Sequence, residues 1–209
     1  MDKLLTAFNR YLDNSYVQEW AQLCREYGTL RTYKKGEEFI TIGQNARYIG
    51  LIKSGSAKYV VYTPGGEERV IGLETAGGYV ASFPYSLREQ PSIWSVVINA
   101  DSEIYCLSVR QIIALCRCSG TLERTVMQSL EAVFYNLYDR YIDLYALTPK
   151  ERYEQLLKKC PRLFEIFQLK DIASYLNITR QHLGRLRSEK STPNWGGADS
   201  VEPQPFTWL

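Results

Sequence analysis

The chain has 209 residues, a formal net charge of +2 and a hydrophobic content of 45%, which are typical of a globular protein with one large or two small domains. No apolar run approaches the roughly 20 residues that a membrane-spanning helix needs, and the acidic, amphipathic N-terminus lacks the pattern of a secretory signal. We therefore expect no membrane association and a cytoplasmic location. The positive charge is concentrated in residues 150–190, which hold ten basic and five acidic side chains.

The five cysteines are odd in number and scattered, a usage typical of free thiols in a reducing compartment. Cys116 and Cys118 are separated by one residue, but no second pair or nearby histidine completes a metal site. Buried or half-buried thiols are favoured over a metal or redox centre. Because His182 is the only histidine and no cofactor cradle stands out, we expect neither an enzyme nor a bound cofactor.

Residues 2–27 carry an apolar stripe at helical spacing and predict one or two helices. From about residue 30 the hydrophobic period changes to two. Turn signals such as Lys35-Gly36, Ser54-Gly55 and Gly77-Gly78 separate seven short β-branched and aromatic runs: LRTY, EEFITI, YIGLIK, AKYVVYT, ERVIGLE, IWSVVIN and EIYCLSV. These runs predict seven or eight strands in a closed double-sheet sandwich or jelly roll. The pattern breaks over residues 79–91, a place where small barrels often build a ligand pocket.

Residues 109–147 predict a long helix. Apolar residues within it alternate four and three apart, as coiled-coil a and d positions do: Met127, Leu130, Phe134, Leu137, Tyr141 and Leu144. A dimer seam is favoured over packing of the helix on its own sandwich. Thr148 and Glu151 then form a predicted capping box, with Pro149 at the first position of a new helix.

Residues 169–190, LKDIASYLNITRQHLGRLRSEK, predict two short helices that cross at a tight turn, with the small Ala173 at the crossing. Asn177 tolerates the left-handed conformation that such a turn needs, and Thr179 can N-cap the second helix. The outward positions of the second helix carry donors suited to bases and phosphates: Arg180, Gln181, His182, Arg185 and Arg187. DNA reading is favoured over an ordinary helical hairpin with a solvated basic face.

In this order the parts resemble the Crp/Fnr family of bacterial transcription regulators over about residues 5–190. The resemblance depends on KKGEEFITIGQNARYIGLIKSGSAKYVVYTPGGEERVIGLETAGGYV and on FQLKDIASYLNITRQHLGRLRS. The fold class is then α+β, with a sensing jelly roll and N-terminal helices (1–118), a dimerisation helix (119–147) and a helix-turn-helix domain (148–190). The resemblance implies a homodimer that binds a near-palindromic promoter site, contacts RNA polymerase and responds to a small effector.

The family's DNA-reading arginines match Arg180 and Arg185. Gln181 stands where the family has an acidic base-reading residue. An acidic side chain accepts a hydrogen bond from the cytosine amine, whereas glutamine can form a bidentate contact with adenine. Gln168 and Lys170 fall where the family contacts phosphates. The candidate DNA-binding set is therefore Gln168, Lys170, Thr179, Arg180, Gln181, His182, Arg185 and Arg187.

The effector pocket departs from the pattern of the cyclic-nucleotide binders. Those proteins have a Glu after the glycine that opens the pocket segment and an Arg-Ser pair at the next strand, whereas this chain has Gly78-Tyr79 and Pro91-Ser92. A buried phosphate without the arginine would be unpaired, which costs several kcal/mol. We therefore expect an effector other than cyclic AMP.

Aromatic residues in this segment, together with Trp94, suggest an apolar pocket, and a core filled by its own side chains is an equally open alternative. The candidate pocket residues are Gly78, Tyr79, Ser92 and Trp94.

After Lys190 the chain has no basic residue and three prolines, so it does not fit the β-hairpin wing of most relatives. We expect residues 191–209 to be a flexible tail. The missing wing also motivates an alternative function, a ligand-binding or protein-interaction sensor whose helix-turn-helix reads no DNA.

Overall fold

A computed structural model describes residue 9, residues 15–118 and residues 120–191. In this part of the chain the helices are α1 (Ser15–Tyr27), α2 (Val109–Cys118), α3 (Gly120–Ala146), α4 (Pro149–Lys159), α5 (Leu163–Ile166), α6 (Leu169–Tyr175) and α7 (Arg180–Ser191). The strands are β1 (Thr29–Tyr33), β2 (Glu38–Ile40), β3 (Tyr48–Tyr62), β4 (Glu68–Thr75), β5 (Tyr79–Val80) and β6 (Ser95–Ser108). The predicted C-terminal tail lies, apart from its first residue, outside the described residues.

All the strand pairings are antiparallel and join six strands in the order β1-β6-β3-β4, with β2 also paired to β6 and β5 to β3. The sheet is jelly-roll-like, as predicted, but the described chain has six strands where seven or eight were expected. The predicted runs YIGLIK and AKYVVYT belong to one strand, the 15-residue β3, and IWSVVIN and EIYCLSV belong to the 14-residue β6.

The predicted turn at Ser54-Gly55 lies within β3. Gly55 has a φ of +93°, and a Cβ there would collide with the Ser102 hydroxyl on β6. The β3–β6 register shifts between Ile52 and Ala57. A positive-φ glycine in a bulge bends a strand without ending it, so the turn prediction at this position was wrong.

Helices α1, α2 and the first half of α3 cover one face of the sheet. Trp20, Cys24, Ile49, Leu107 and Ile112 are buried in the core beneath them. Cys24, Cys106 and Cys160 are buried free thiols, as expected for these three positions. Burial raises the pKa of Cys24 to about 12, so this thiol stays protonated at neutral pH.

The predicted capping box opens α4. Glu151 donates its backbone N–H to the Thr148 hydroxyl at 3.3 Å, and its carboxylate accepts from the Thr148 backbone N–H at 2.7 Å. Hydrogen bonds from Thr148 lower the pKa of Glu151, and Pro149 occupies the first turn. Helix α3 therefore ends and α4 begins as a separate helix. Among the described residues, no helix combines the length and apolarity needed to cross a membrane.

Helix α6 packs on β4, and α4, α5 and α7 share a buried cluster with these two elements. One continuous buried cluster joins Val70 and Leu73 of β4 to Leu163, Ile172 and Leu183. The helix-turn-helix therefore shares a core with the jelly roll in this arrangement, which sequence patterns did not predict.

Candidate nucleic-acid interface and effector cavity

The turn between α6 and α7 has the predicted local chemistry. Asn177 adopts a φ of +55°, in the left-handed region, and its backbone N–H donates to Ser174 O at 3.0 Å. Thr179 caps α7, because its hydroxyl accepts from the His182 backbone N–H at 3.1 Å. Both sequence predictions for this turn are confirmed.

The core of the helix-turn-helix determines which face of α7 is exposed. Leu183 and Leu186 are buried together with Ile172 and Ala173 of α6 and with Leu176, the residue that follows α6. The opposite face of α7 is exposed, and it carries Arg180, Gln181, Gly184 and Arg185.

The remaining candidate DNA contacts are placed around this face. Gln168 and Lys170 are exposed at the start of α6, and Thr179 is exposed at the cap of α7. His182 is half-buried. The Arg187 guanidinium lies 4.4 Å from the centre of the Phe164 ring, so this side chain packs on its own module.

Gly184 was not among the sequence-predicted site residues. A Cβ at this position meets no atom within 4 Å, so no packing inside the chain explains a glycine here. Glycine in a helix interior is unfavourable relative to alanine. The signal in the sequence was a glycine within α7, on the same face as Arg180 and Gln181.

An almost fully buried ion pair joins the helix-turn-helix to the jelly roll. Lys58 Nζ on β3 lies 3.0 Å from Asp171 Oδ1 on α6, and the two side chains are only 9% and 4% exposed. The same ammonium group donates to Glu68 on β4 at 2.6 Å. Burial acts to lower the pKa of Lys58, but the hydrogen bonds from Glu68 and Asp171 outweigh it and the pKa is raised. Lys58 is therefore charged at neutral pH.

Backbone and side-chain hydrogen bonds reinforce this contact. The Val70 N–H donates to the Ser174 hydroxyl at 2.9 Å, and Asn99 Nδ2 donates to Ile166 O at 2.8 Å. On α3, Arg140 donates to Ile71 O of β4 and, at 3.0 Å, to Tyr175 O of α6. Its guanidinium also lies 3.8 Å from the centre of the Tyr175 ring. One arginine thus bonds the long helix to both the sheet and the helix-turn-helix.

A cavity of about 200 Å³ lies between the β4–β5 side of the jelly roll, α3 and α6. Aromatic side chains form much of its wall: Trp20, Tyr79, Phe83, Trp94 and Tyr175. Two of the predicted pocket residues, Tyr79 and Trp94, are therefore lining residues. Tyr79 is held in place because its hydroxyl donates to Val17 O at 2.7 Å.

The other two predicted pocket residues do not line this cavity. Gly78 packs against the Glu74 carboxylate, which leaves no room for a Cβ. The Ser92 hydroxyl donates to Trp94 O at 2.6 Å and bonds to the Ser82 hydroxyl at 2.8 Å. Ser92 therefore shapes the segment before β6.

Helix α3 carries an exposed aromatic stripe, which we define as Met127, Phe134, Tyr138, Tyr141 and Tyr145. These residues are 52–77% exposed, and neighbouring rings from Phe134 to Tyr145 contact one another. Four of the six predicted seam residues are exposed, whereas Leu130 and Leu144 are half-buried. Tyr138 and Tyr145 were missed, since a heptad pattern counts apolar positions and does not show which side of the helix faces its own sheet.

Comparison with known proteins agrees with this architecture. Residues 30–118 match the family described as the cyclic nucleotide-binding domain. The structure is similar to FixK2 from Bradyrhizobium japonicum, with a TM-score of 0.71 and 17% identity over 83% of this chain and 89% of that one. A putative cAMP-binding regulatory protein from Silicibacter pomeroyi aligns with a TM-score of 0.64 and 22% identity, over 91% of this chain and 88% of that one.

The c-di-GMP-responsive global regulator CLP from Xanthomonas campestris aligns with a TM-score of 0.63 and 14% identity, over 88% of this chain and 96% of that one. No curated protein matches the chain at a significant level. The family match places a cyclic nucleotide-binding domain at residues 30–118, and the structural similarity extends over the helices that follow it. The chain has the fold of these solved structures, and the resemblance to the Crp/Fnr family predicted from the sequence is confirmed at the level of the fold.

Proposed function

We propose that the protein is a dimeric, non-enzymatic transcription regulator that acts in the cytoplasm and reads a near-palindromic promoter site in double-stranded DNA. The observation that carries this proposal is the exposed face of α7, where Arg180, Gln181 and Arg185 stand clear of the packed helix-turn-helix core. Arginine and glutamine make bidentate contacts with guanine and adenine, and the excess of basic residues in 150–190 supplies attraction to phosphates. Gln168 and Lys170 take the phosphate positions, and RNA polymerase is the expected protein partner.

We assign the dimer seam to the exposed aromatic stripe of α3. Large exposed apolar patches mark interaction surfaces, and the stripe has the four-and-three spacing of a coiled-coil seam from Phe134 to Tyr145. A second copy of the chain is the fitting occupant, because two-fold pairing of α3 gives two reading helices the symmetry of a palindrome. Residues 1–118, 119–147 and 148–190 then serve as sensor, dimerisation helix and reader.

The test is selection of DNA sites from a random pool by the purified protein, without added effector, at two salt concentrations. We expect a two-fold symmetric motif, with affinity that falls steeply as salt rises. Salt-sensitive binding without any motif, in the presence and absence of effector candidates, would contradict sequence reading. It would support the alternative sensor function.

Arg185→Ala is expected to weaken binding to the selected site by about 1–3 kcal/mol and to relax the choice at one base pair per half-site. Truncation removes a bidentate base contact but leaves the phosphate contacts of the module in place. Fluorescence anisotropy with the selected site and its single-base variants measures both effects. Arg88→Ala, which removes the same charge from an exposed position on the jelly roll, is the control. If the two variants bound the selected site and its single-base variants with equal affinities, Arg185 would not be a base-contacting residue.

Gly184→Ala is expected to stabilise the folded protein by about 1 kcal/mol, because the Cβ meets open space and alanine favours a helix. We expect the same change to weaken DNA binding, since the methyl group occupies the space where a groove edge approaches α7. Thermal denaturation and DNA titration measure the two effects. The control is Gly120→Ala in α3, where a Cβ also meets nothing within 4 Å. A Gly184 variant that gains stability and keeps full affinity would show that DNA does not approach this part of α7.

A further inference from the structure

Two arginines bind the backbone at the C-terminal end of α6. Arg140 Nη2, on α3, donates to Tyr175 O at 3.0 Å, and Arg152 Nη2, on α4, donates to Leu176 O at 3.2 Å. The last carbonyls of a helix have no partner within the helix and carry partial negative charge. Guanidinium groups satisfy both the hydrogen-bonding and the charge requirement of such a helix end. We call Arg140 and Arg152 the arginine clamp.

Arg152 also binds the end of the long helix α3. Its Nη1 atom donates to Leu147 O at 2.6 Å, just after α3, and lies 3.5 Å from Leu144 O in the last turn of α3. The donors of a guanidinium group are fixed in one plane, so a side chain that bonds several carbonyls also fixes their relative positions. Only Leu147 and Thr148 separate α3 from α4. The junction between α3 and the helix-turn-helix is therefore short and joined by hydrogen bonds.

The arginine clamp lies directly before the turn that leads to α7. Asn177 follows Leu176 and donates its backbone N–H to Ser174 O at 3.0 Å, and Thr179 then caps α7. Because the turn is stabilised by its own hydrogen bonds, holding Tyr175 and Leu176 in place also fixes the direction of α7. Both arginines of the clamp are half-buried, and the reading face of α7 stays exposed. The clamp therefore orients the reading helix without covering it.

We propose that Arg140 and Arg152 are positioning residues that fix the angle of α7 relative to α3 and thereby set the spacing between the two half-sites that a dimer reads. The proposal rests on the proposed function, since it takes α3 as the dimer helix and α7 as the reading helix. One base pair added between half-sites moves them apart by about 3.4 Å and rotates them by about 35°. A dimer with a rigid junction then engages only one half-site at a time, whereas a loose junction still reaches both.

The first test uses the full chain and DNA that carries the selected palindrome, with one or two base pairs added to or removed from its centre. For the wild-type protein we expect each change of spacing to weaken binding by at least about 10-fold, toward the affinity for a single half-site. Fluorescence anisotropy measures the affinities. Equal affinity of the wild-type protein for all the spacings overturns the proposal.

Arg140→Met combined with Arg152→Met removes the donors of the clamp and keeps apolar stems of similar length. We expect the loss of affinity on a change of spacing to fall below about 3-fold, while the affinity for a single half-site stays within about 2-fold of wild type. A loss of stability alone would lower the active fraction equally for every DNA. Thermal denaturation shows whether the variant is folded, and Arg152→Met alone is expected to act in the same direction if the double variant is not. A folded variant with the spacing preference of the wild type overturns the proposal.

Arg162→Met is the matched control. Arg162 is exposed in the same module and pairs with Glu165 at 2.7 Å, three residues along the chain. Its removal takes away the same charge, so we expect binding to weaken equally at every spacing. If Arg162→Met relaxed the spacing as the clamp variant does, charge rather than geometry would set it and the proposal would be wrong. Selection of no symmetric motif contradicts the proposed function itself, whereas a symmetric motif read equally at every spacing overturns only the role of the clamp.

Discussion

Lys58→Met is expected to lower the free energy of unfolding by about 3–5 kcal/mol, because it leaves the Asp171 carboxylate buried between α6 and the sheet without its cationic partner. Replacing both members of the pair by apolar residues, Lys58→Met with Asp171→Leu, is expected to restore most of the loss. Denaturant unfolding of the two single variants and the double variant forms a double-mutant cycle that isolates the pair.

Lys53→Met is the matched control. Lys53 pairs with Glu103 at 3.1 Å, but both side chains are about 40% exposed, so we expect a loss below about 1 kcal/mol. If Lys58→Met lowered the free energy of unfolding by no more than Lys53→Met does, the buried pair would not be what stabilises the contact between the helix-turn-helix and the sheet.

The buried pair also predicts a dependence on pH. The pKa of Lys58 is raised in the folded protein, so its contribution to stability is complete below the unfolded-state pKa of about 10.4. It is lost as the pH rises through the raised folded-state value. Between neutral and mildly alkaline pH we therefore expect no loss of stability from this group.

Tyr138→Glu combined with Tyr141→Glu is expected to convert the dimer into a monomer and to weaken binding to the selected palindrome by about 100-fold or more. The ring centroids of Tyr138 and Tyr141 are 6.2 Å apart on the exposed aromatic stripe. A two-fold dimer of the variant would place four carboxylates in one seam, where they would repel one another. Sedimentation measures the oligomeric state, and DNA titration measures the affinity.

Tyr62→Glu is the control for this variant, because Tyr62 is also exposed but lies at the end of β3. A Tyr138/Tyr141 variant that remains dimeric would contradict the aromatic seam. If Leu130→Glu and Leu144→Glu then dissociated the dimer without unfolding the chain, the dimer seam predicted from the heptad pattern of the sequence would be correct.

Arg140 connects three parts of the fold. It belongs to the same helix as the aromatic stripe, and it bonds to β4 and to Tyr175 on α6. If two α3 helices pair as proposed, we expect a change in their pairing to act on the helix-turn-helix through this side chain.

The elements that the sequence predicted well depend on neighbours in the chain. Asn177 at the left-handed turn, Thr179 as the cap of α7 and the Thr148–Glu151 capping box are all confirmed. Each depends on the conformations and hydrogen bonds of three or four consecutive residues. The exposed face of α7 follows from the same local periodicity, since Leu183 and Leu186 must face the core.

The predictions that failed depend on distant partners. Ser54-Gly55 has the composition of a turn, yet β3 continues through it because β6 pairs with both halves. The choice between turn and bulge is made by strand pairing, which a sequence window does not contain.

By itself, then, the sequence determined the order of the modules and the helix-turn-helix with the exposed face of its second helix, and it has Pro91-Ser92 where the resemblance leads one to expect an Arg-Ser pair. Only the tertiary structure decided that Lys58 pairs with Asp171, that Tyr175 lines the cavity, and that Tyr138 and Tyr145 are exposed on α3 while Leu130 and Leu144 are half-buried. Lys58 and Asp171 are 113 residues apart in the chain. Local patterns encode backbone conformation and amphipathicity, whereas the partner of a buried charge is set by packing between elements that have no fixed spacing in sequence.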